Sequence, residues 1–388
     1  MKDPGNAFEF LENLRSQDRR RKLTYDNLMD YMDWKARERG IPIKGQIELT
    51  PLCNFDCKMC YTHLSPEQLG GRRLLTAAEW KRLIDEAVEA GLMSVNLTGG
   101  ECLTYPGFEE IYLYLWELGI ETLVLTNGSL LDDRWIRFFL KHRPNLIQIT
   151  LYGSSEEAYE QVTGHRCFSV VRDNIQKALK AGLPLAICIT PSRYMGEDVF
   201  DTIRLAHSFG ARLFVNSVLT EPKEETGRAG TEHDVSVEEY ARIFRFWNDL
   251  RGIETRTIEL DQLPPPGGPC REAEGCGLAC KAGLSCFTIE WDGRMYACGS
   301  IRDIWASPLQ DGFRAAWDTV HQKALAWPVI PECIECPYAG VCTNCAPEKE
   351  KYAERGKRPA ALCEQTRYLV HQGIIRIPDC EQDISAET

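Results

Sequence analysis

The chain has 388 residues, 44% of them hydrophobic, which suits two domains or one barrel with an appendage and argues against general disorder. A formal charge of −12, from 45 basic against 57 acidic side chains, disfavours a broad nucleic-acid surface. The polar N-terminus has no secretory h-region, and no apolar run approaches the ~20 residues of a membrane span. The expectation is a cytoplasmic protein that makes no membrane contact. There thiols stay reduced, and seventeen cysteines point to metal rather than disulfides.

Residues 1–44 read as a charged helical extension, and the basic run Arg19–Lys22 as a solvated helix face. Strand and helix patterns then alternate. Strands are predicted at 46–50, 94–98, 121–126, 146–152, 185–190 and 212–218. Helices are predicted at 76–90, 108–118, 132–142, 169–181, 198–210 and 236–250. Thr76 with Glu79 three residues on forms a capping box, Gly91 is a stop, and Ser236 is a cap. Six apolar strands alternating with helices argue for an α/β fold with a parallel sheet, a partial (β/α)6 TIM-like barrel over 45–255. Its active site belongs at the C-terminal ends of the strands. Residues 256–269, with three prolines at 264–266, read as a linker. A cysteine-rich domain follows over 270–380, then a tail at 381–388 expected to be disordered. Helix periodicity is weak beyond the linker. One hairpin is clear, 287–291 and 294–297 about a turn at Asp292-Gly293.

Chemistry is concentrated in Cys53-x3-Cys57-x2-Cys60 at the end of the first strand. Three compact thiols can hold three irons of a [4Fe-4S] cluster and leave the fourth iron open. A zinc knuckle is the alternative, although zinc sites favour paired Cys-x2-Cys units. With Thr98-Gly99-Gly100-Glu101 about forty residues on, the pattern resembles the radical S-adenosylmethionine (SAM) enzymes over about residues 45–255. The resemblance implies that Cys53, Cys57 and Cys60 ligate the cluster and that SAM chelates the open iron. Reductive cleavage then yields a 5′-deoxyadenosyl radical that abstracts hydrogen. It also implies cofactor contacts from Thr98, Gly99, Gly100 and Glu101, the last accepting from the methionine ammonium. Asn127, Thr150, Tyr152 and Arg166 match further cofactor positions. The family commonly has an aromatic residue before the third cysteine, beside the adenine. Here Met59 stands there, with Tyr61 just after.

Eleven of the seventeen cysteines fall in the last 119 residues. Cys280-x12-Gly293-x4-Cys298, then Cys333-x2-Cys336-x5-Cys342-x2-Cys345 and Cys363, resemble the SPASM domain of peptide- and protein-modifying radical enzymes. That family usually has three residues, not two, between the last pair. The resemblance implies two auxiliary [4Fe-4S] clusters, making three in all: one on Cys280, Cys286, Cys298 and Cys345, the other on Cys333, Cys336, Cys342 and Cys363. Two zinc ribbons are the alternative. Cys188 reads as core and Cys102 as a buried small residue. Cys167, Cys270, Cys276 and Cys380 have no assigned role.

The implied function is maturation of a ribosomally made precursor peptide by cross-linking, thioether formation, epimerisation or oxidation. A flavodoxin- or ferredoxin-type protein would donate electrons. An alternative is an anaerobic sulfatase-maturing, formylglycine-forming enzyme. Those place an aspartate base after the third C-terminal cysteine, where this chain has Gly299. A second alternative is a non-catalytic iron–sulfur electron carrier. Residues 1–44 are too short for the peptide-binding domain of many maturases, so leader recognition would need another protein or surface.

Overall fold

The computed structural model describes residues 25–216, 219–224, 234–267, 278, 280–342 and 345–377. The Arg19–Lys22 run, Cys270, Cys276, Cys380 and the tail lie outside the described residues. In chain order come α1 (Tyr25–Arg39), β1 (Lys44–Glu48), α2 (Ala77–Ala90), β2 (Ser94–Thr98), α3 (Phe108–Glu117), β3 (Glu121–Thr126), α4 (Asp133–Lys141) and β4 (Leu146–Thr150). Then follow α5 (Glu156–Thr163), α6 (Phe168–Lys180), β5 (Leu185–Ile189), α7 (Asp198–Ser208), β6 (Arg212–Val215) and α8 (Val237–Leu250). The C-terminal region holds β7 (Cys286–Ile289), β8 (Met295–Cys298), β9 (Ile301–Ala306), α9 (Phe313–Leu325) and α10 (Ala360–His371). No helix among the described residues is long and apolar enough to cross a membrane.

Local chemistry sets the boundaries. Glu79 N donates to Thr76 Oγ1 (3.3 Å) and Thr76 N to Glu79 Oε2 (2.9 Å), closing the predicted capping box on α2. Trp80, Leu83, Ile84 and Ala87 recur at helical spacing and are the buried face of that helix. Asp132, Ser155 and Ser236 cap α4, α5 and α8 with side-chain oxygens. β5 is buried at every position, as befits a parallel strand covered on both faces.

The strands form one sheet in the order β6-β5-β4-β3-β2-β1-β7-β8-β9. β1 to β6 are parallel throughout. β7 adds to the free side of β1 in parallel, with Gln46 opposite Thr288, and β8 and β9 continue antiparallel. The composition break at 256–269 is therefore no break in the sheet, because the hairpin extends the barrel wall. Two expectations are corrected. α5 lies in a stretch predicted as coil, and helix continues past the linker in α9 and α10. α9 buries Phe313, Ala316, Trp317, Val320 and Ala324. Its contribution was hidden because polar residues interrupt that stripe.

Trp317 fastens this region to the barrel. It is fully buried, packs against Phe287 and donates Nε1–H to Gly40 O at 2.7 Å. Replacing it with alanine is expected to lower stability by about 3–5 kcal/mol. Urea denaturation should show barrel and hairpin unfolding together in one shifted transition. Two separated transitions would mean that the shared sheet does not couple them.

Candidate active site

The cysteine loop leaves the C-terminal end of β1 and is held from two sides. From α5, the carbonyls of Thr163 and Val162 accept from Asp56 N (2.9 Å) and Lys58 N (3.1 Å). From β2, Gly100 N donates to Thr50 O (2.6 Å) and Glu101 N to Leu52 O (2.9 Å). These crossings explain the two glycines. A Cβ on Gly99 would collide with Thr50 O, and one on Gly100 with Leu52 O and Pro51 O. Gly99 also has φ +152°, which side chains disfavour. The two glycines thus admit the chain's own backbone on its way to Cys53.

Glu101 is corrected in the same way. It is fully buried, and its carboxylate accepts from Leu103 N (3.1 Å), Thr126 Oγ1 (2.8 Å) and Asn127 N (2.7 Å). Burial raises its pKa against the pull of those donors. It binds β2 to the end of β3 and does not face the cavity with a free oxygen. Asn127 passes the link on, donating Nδ2–H to Asn54 Oδ1 (2.8 Å) and lying 3.8 Å from Cys53 Sγ.

The result is a cavity of about 410 Å³ at the C-terminal ends of the strands. Cys53, Cys57 and Cys60 line it with Met59, Tyr61, Thr98, Gly99, Gly100, Asn127, Thr150 and Tyr152. Arg166 is not brought there. It lies half-exposed beside Glu157 and Glu160, the latter at 2.9 Å. The C-terminal region supplies Thr288, Cys298, Gly299 and Ser300 to the same cavity. Sequence reasoning missed Gln148, Thr190 and Asn216, which belong to the same ring of strand ends and could have been found there. Cys188, read as core, is buried but lines the cavity, with Asn216 Nδ2 at 3.2 Å from its sulfur. Cys102 is wholly buried, as expected, its thiol on Leu125 O.

The donors fit an iron–sulfur cluster. No lysine or arginine is among the described lining residues. Burial pushes the Cys53 thiol up to about 12, with Glu101 and Cys60 adding to it, while Phe55 N–H (3.4 Å) and Asn127 oppose the shift. His63 N–H donates to Cys60 Sγ at 3.3 Å. The charges of all three thiols act on Tyr152, whose hydroxyl is pushed well up, chiefly by burial. Three thiols lining one cavity, with N–H donors to Cys53 and Cys60 and no lysine or arginine among the described lining residues, form a site that a metal centre would neutralise.

Two more thiol groups stand in the C-terminal region. Cys298 and Cys280 act electrostatically on Cys345, and Cys298 acts on Cys280. Cys286 is surrounded differently, with Asp33, Lys44 and Lys281 as its charged neighbours. The hairpin pairs Thr288 with Tyr296 and Ile289 with Met295, and Cys286 and Cys298 stand at the outer ends of its two strands. Cys363, Cys336 and Cys342 act electrostatically on Cys333. Gly267 N donates to Cys336 Sγ (3.2 Å) and Thr366 Oγ1 lies 3.6 Å from Cys342 Sγ.

Residues 47–206 match the Radical SAM superfamily. The AdoMet-dependent heme synthase of Methanosarcina barkeri is 25% identical over 317 residues, covering 77% of this chain and 89% of that protein. The antilisterial bacteriocin subtilosin biosynthesis protein AlbA of Bacillus subtilis is 23% identical over 325 residues, covering 80% and 68%. A probable GTP 3′,8-cyclase of Saccharolobus islandicus is 31% identical over 217 residues, covering 55% and 69%. Among solved structures, Streptococcus suis SuiB bound to its precursor peptide SuiA shares the fold, with a TM-score of 0.65 at 15% identity over 88% of this chain and 82% of that one.

Gly100→Ala tests the crossing of the two loops. The added methyl is expected to displace the segment before Cys53, lowering stability by about 1–3 kcal/mol in urea denaturation. Iron incorporation at the N-terminal thiols should fall with it. Unchanged stability and iron content would mean that the crossing is not the constraint.

Proposed function

The chain belongs to the Radical SAM superfamily, and from that premise we propose that it modifies a peptide by hydrogen abstraction, maturing a ribosomally made precursor. The observation that carries the reading is a single cavity bounded by Cys53, Cys57 and Cys60 at one wall and by Cys298 at another. Its volume suits a small cofactor with room for part of a substrate. Cys53, Cys57 and Cys60 would hold a [4Fe-4S] cluster. With S-adenosylmethionine bound, that group supplies a carbon radical able to take hydrogen from an unactivated position. The chain's own residues bind, orient and exclude water. The Thr98–Gly100 edge, Asn127 and Thr150 offer polar atoms to the cofactor. Met59 and Tyr61 offer an apolar side chain and a ring. Phe55, Tyr152 and Tyr159 pack edge to face, with ring centroids 6.0–6.3 Å apart, and close the floor behind the thiols.

Two auxiliary [4Fe-4S] clusters are part of the proposal, on Cys280, Cys286, Cys298 and Cys345, and on Cys333, Cys336, Cys342 and Cys363. A flavodoxin- or ferredoxin-type donor would reduce the enzyme. The alignment with AlbA, whose name places it in bacteriocin biosynthesis, supports a peptide substrate. One observation favours a second reading, a tetrapyrrole substrate: the heme synthase alignment spans most of both chains.

Anaerobic reconstitution should give about twelve irons per chain for three clusters, and about four if only the N-terminal site loads. With dithionite and S-adenosylmethionine the protein should form 5′-deoxyadenosine, and Cys53→Ala should abolish it. Coexpression with short open reading frames beside the gene should produce a peptide of altered mass. Deoxyadenosine formation with no altered peptide, but with conversion of an added tetrapyrrole, would favour the second reading.

A further inference from the structure

Behind the cavity wall lies a group of charges that the proposed chemistry leaves unused. Glu48 ends β1, Lys223 lies in the segment after β6, and Glu290 follows β7. The side chains of Glu48 and Glu290 are 2% exposed and that of Lys223 is 6%. Lys223 Nζ bonds Glu48 Oε1 and stands 3.1 Å from Glu290 Oε1. Burial alone would lower the Lys223 pKa, but Glu48 and then Glu290 outweigh it and hold the ammonium charged. Burying such a set adds little stability compared with apolar packing. Its value lies in what it orients.

One neighbour of the group reaches the cavity. Gln46 stands two residues before Glu48 on β1, so the two side chains share a face of the strand. Gln46 lines the cavity, and Glu48 is not among its described lining residues. Gln46 Nε2 donates to Glu48 Oε1 at 3.0 Å. A carboxylate paired with an ammonium accepts hydrogen bonds and does not donate them, so the amide turns its nitrogen to Glu48. The amide oxygen of Gln46 is left over, with no hydrogen bond among the described residues. Thr288 is the partner of Gln46 in the β1–β7 register and lines the same cavity. It is 4% exposed, and its hydroxyl too makes no hydrogen bond among the described residues. Neighbouring strands run about 4.8 Å apart, so an oriented acceptor and a hydroxyl able to donate stand side by side. Gln148 also lines the cavity from β4, but no described residue bonds its amide, so neither end is turned inward by a partner.

We propose that Gln46 and Thr288 bind the main chain of the substrate peptide at the residue to be modified. Gln46 Oε1 accepts that residue's N–H, Thr288 Oγ1 donates to its C=O, and the Glu48–Lys223 pair positions Gln46. The N–H and C=O of one residue in an extended chain point the same way, as they do when a strand pairs with its neighbour. They are the complement of an acceptor and a donor set side by side. This assignment rests on the peptide reading above and names what the site recognises: an extended main chain, held by neutral groups. β8, which carries Cys298, is the strand next to that of Thr288, so the residue is held on the side of the cavity that Cys298 shares.

The test uses reconstituted holoenzyme and the peptide that gains altered mass in the coexpression experiment. Tandem mass spectrometry locates the modified residue, and an analogue carries an ester oxygen in place of that residue's amide N–H. Calorimetry then measures the affinity of both peptides for wild type and for Gln46→Met and Thr288→Val, which keep side-chain volume. The ester is expected to bind wild type about tenfold more weakly, because Gln46 Oε1 loses its donor. Gln46→Met should bind the unaltered peptide about tenfold more weakly, with less than about a threefold further loss for the ester. Thr288→Val should weaken binding of the unaltered peptide and keep the full ester penalty. A merely structural defect in Gln46→Met would weaken both peptides alike and leave the ester penalty at its wild-type size, which would overturn the proposal. An ester that binds wild type as tightly as the unaltered peptide would overturn it with no variant needed. Either result leaves the parent reading intact. Failure of any peptide to gain altered mass would overturn that reading, and this assignment with it.

Discussion

The constraint on which the site depends is the contact of two backbones at the ends of β1 and β2. Segment 50–52 passes directly over Gly99 and Gly100, and two N–H donors from that edge, Gly100 and Glu101, bond its carbonyls. Any side chain there would force the strands apart. Because Cys53 follows at once, the crossing decides where the first thiol stands. Glu101 then fastens the same edge to β3 through Thr126 and Asn127, and Asn127 reaches back to the cysteine loop. A parallel sheet thereby positions the cysteine loop.

The second consequence of the sheet is that the C-terminal cysteines are not on a detached module. β7 pairs with β1 in the register Lys44–Cys286 and Gln46–Thr288, so the hairpin that carries Cys298 is a continuation of the wall that carries Gln46 and Glu48. One cavity is therefore lined both by the N-terminal thiol trio and by Cys298 of the C-terminal region. Burial of Trp317 and Phe287 against the barrel fixes that relation more firmly than the proline-rich linker could.

Much of this was legible in the sequence, for physical reasons. The cysteine spacing, the capping box at Thr76 and Glu79, and the Asp292-Gly293 hairpin are local patterns, complete within a few residues. The strand ends that line the cavity followed from alternation and the barrel rule. What was not legible depends on distance along the chain. Glu48 and Lys223 are 175 residues apart and become a pair only when the segment after β6 closes against β1. Gly99 and Gly100 were read as cofactor contacts, and they line the cavity, but that the chain's own segment 50–52 also packs on them is not visible in the sequence. Arg166 matched a cofactor position, but Glu157 and Glu160 of the preceding helix α5 claim it. α9 and α10 were missed because their apolar stripes are narrow and interrupted.

The central claim is that the N-terminal thiol trio holds a cluster with one metal corner open to a sulfonium ligand. Electron paramagnetic resonance of the reduced, reconstituted protein, with and without isotopically labelled S-adenosylmethionine, tests this most directly. The account predicts that the cofactor changes the spectrum and that hyperfine coupling from its labelled amino nitrogen appears, with both effects absent when Cys57 is alanine. A spectrum indifferent to S-adenosylmethionine, or zinc in place of iron at those thiols, would contradict it.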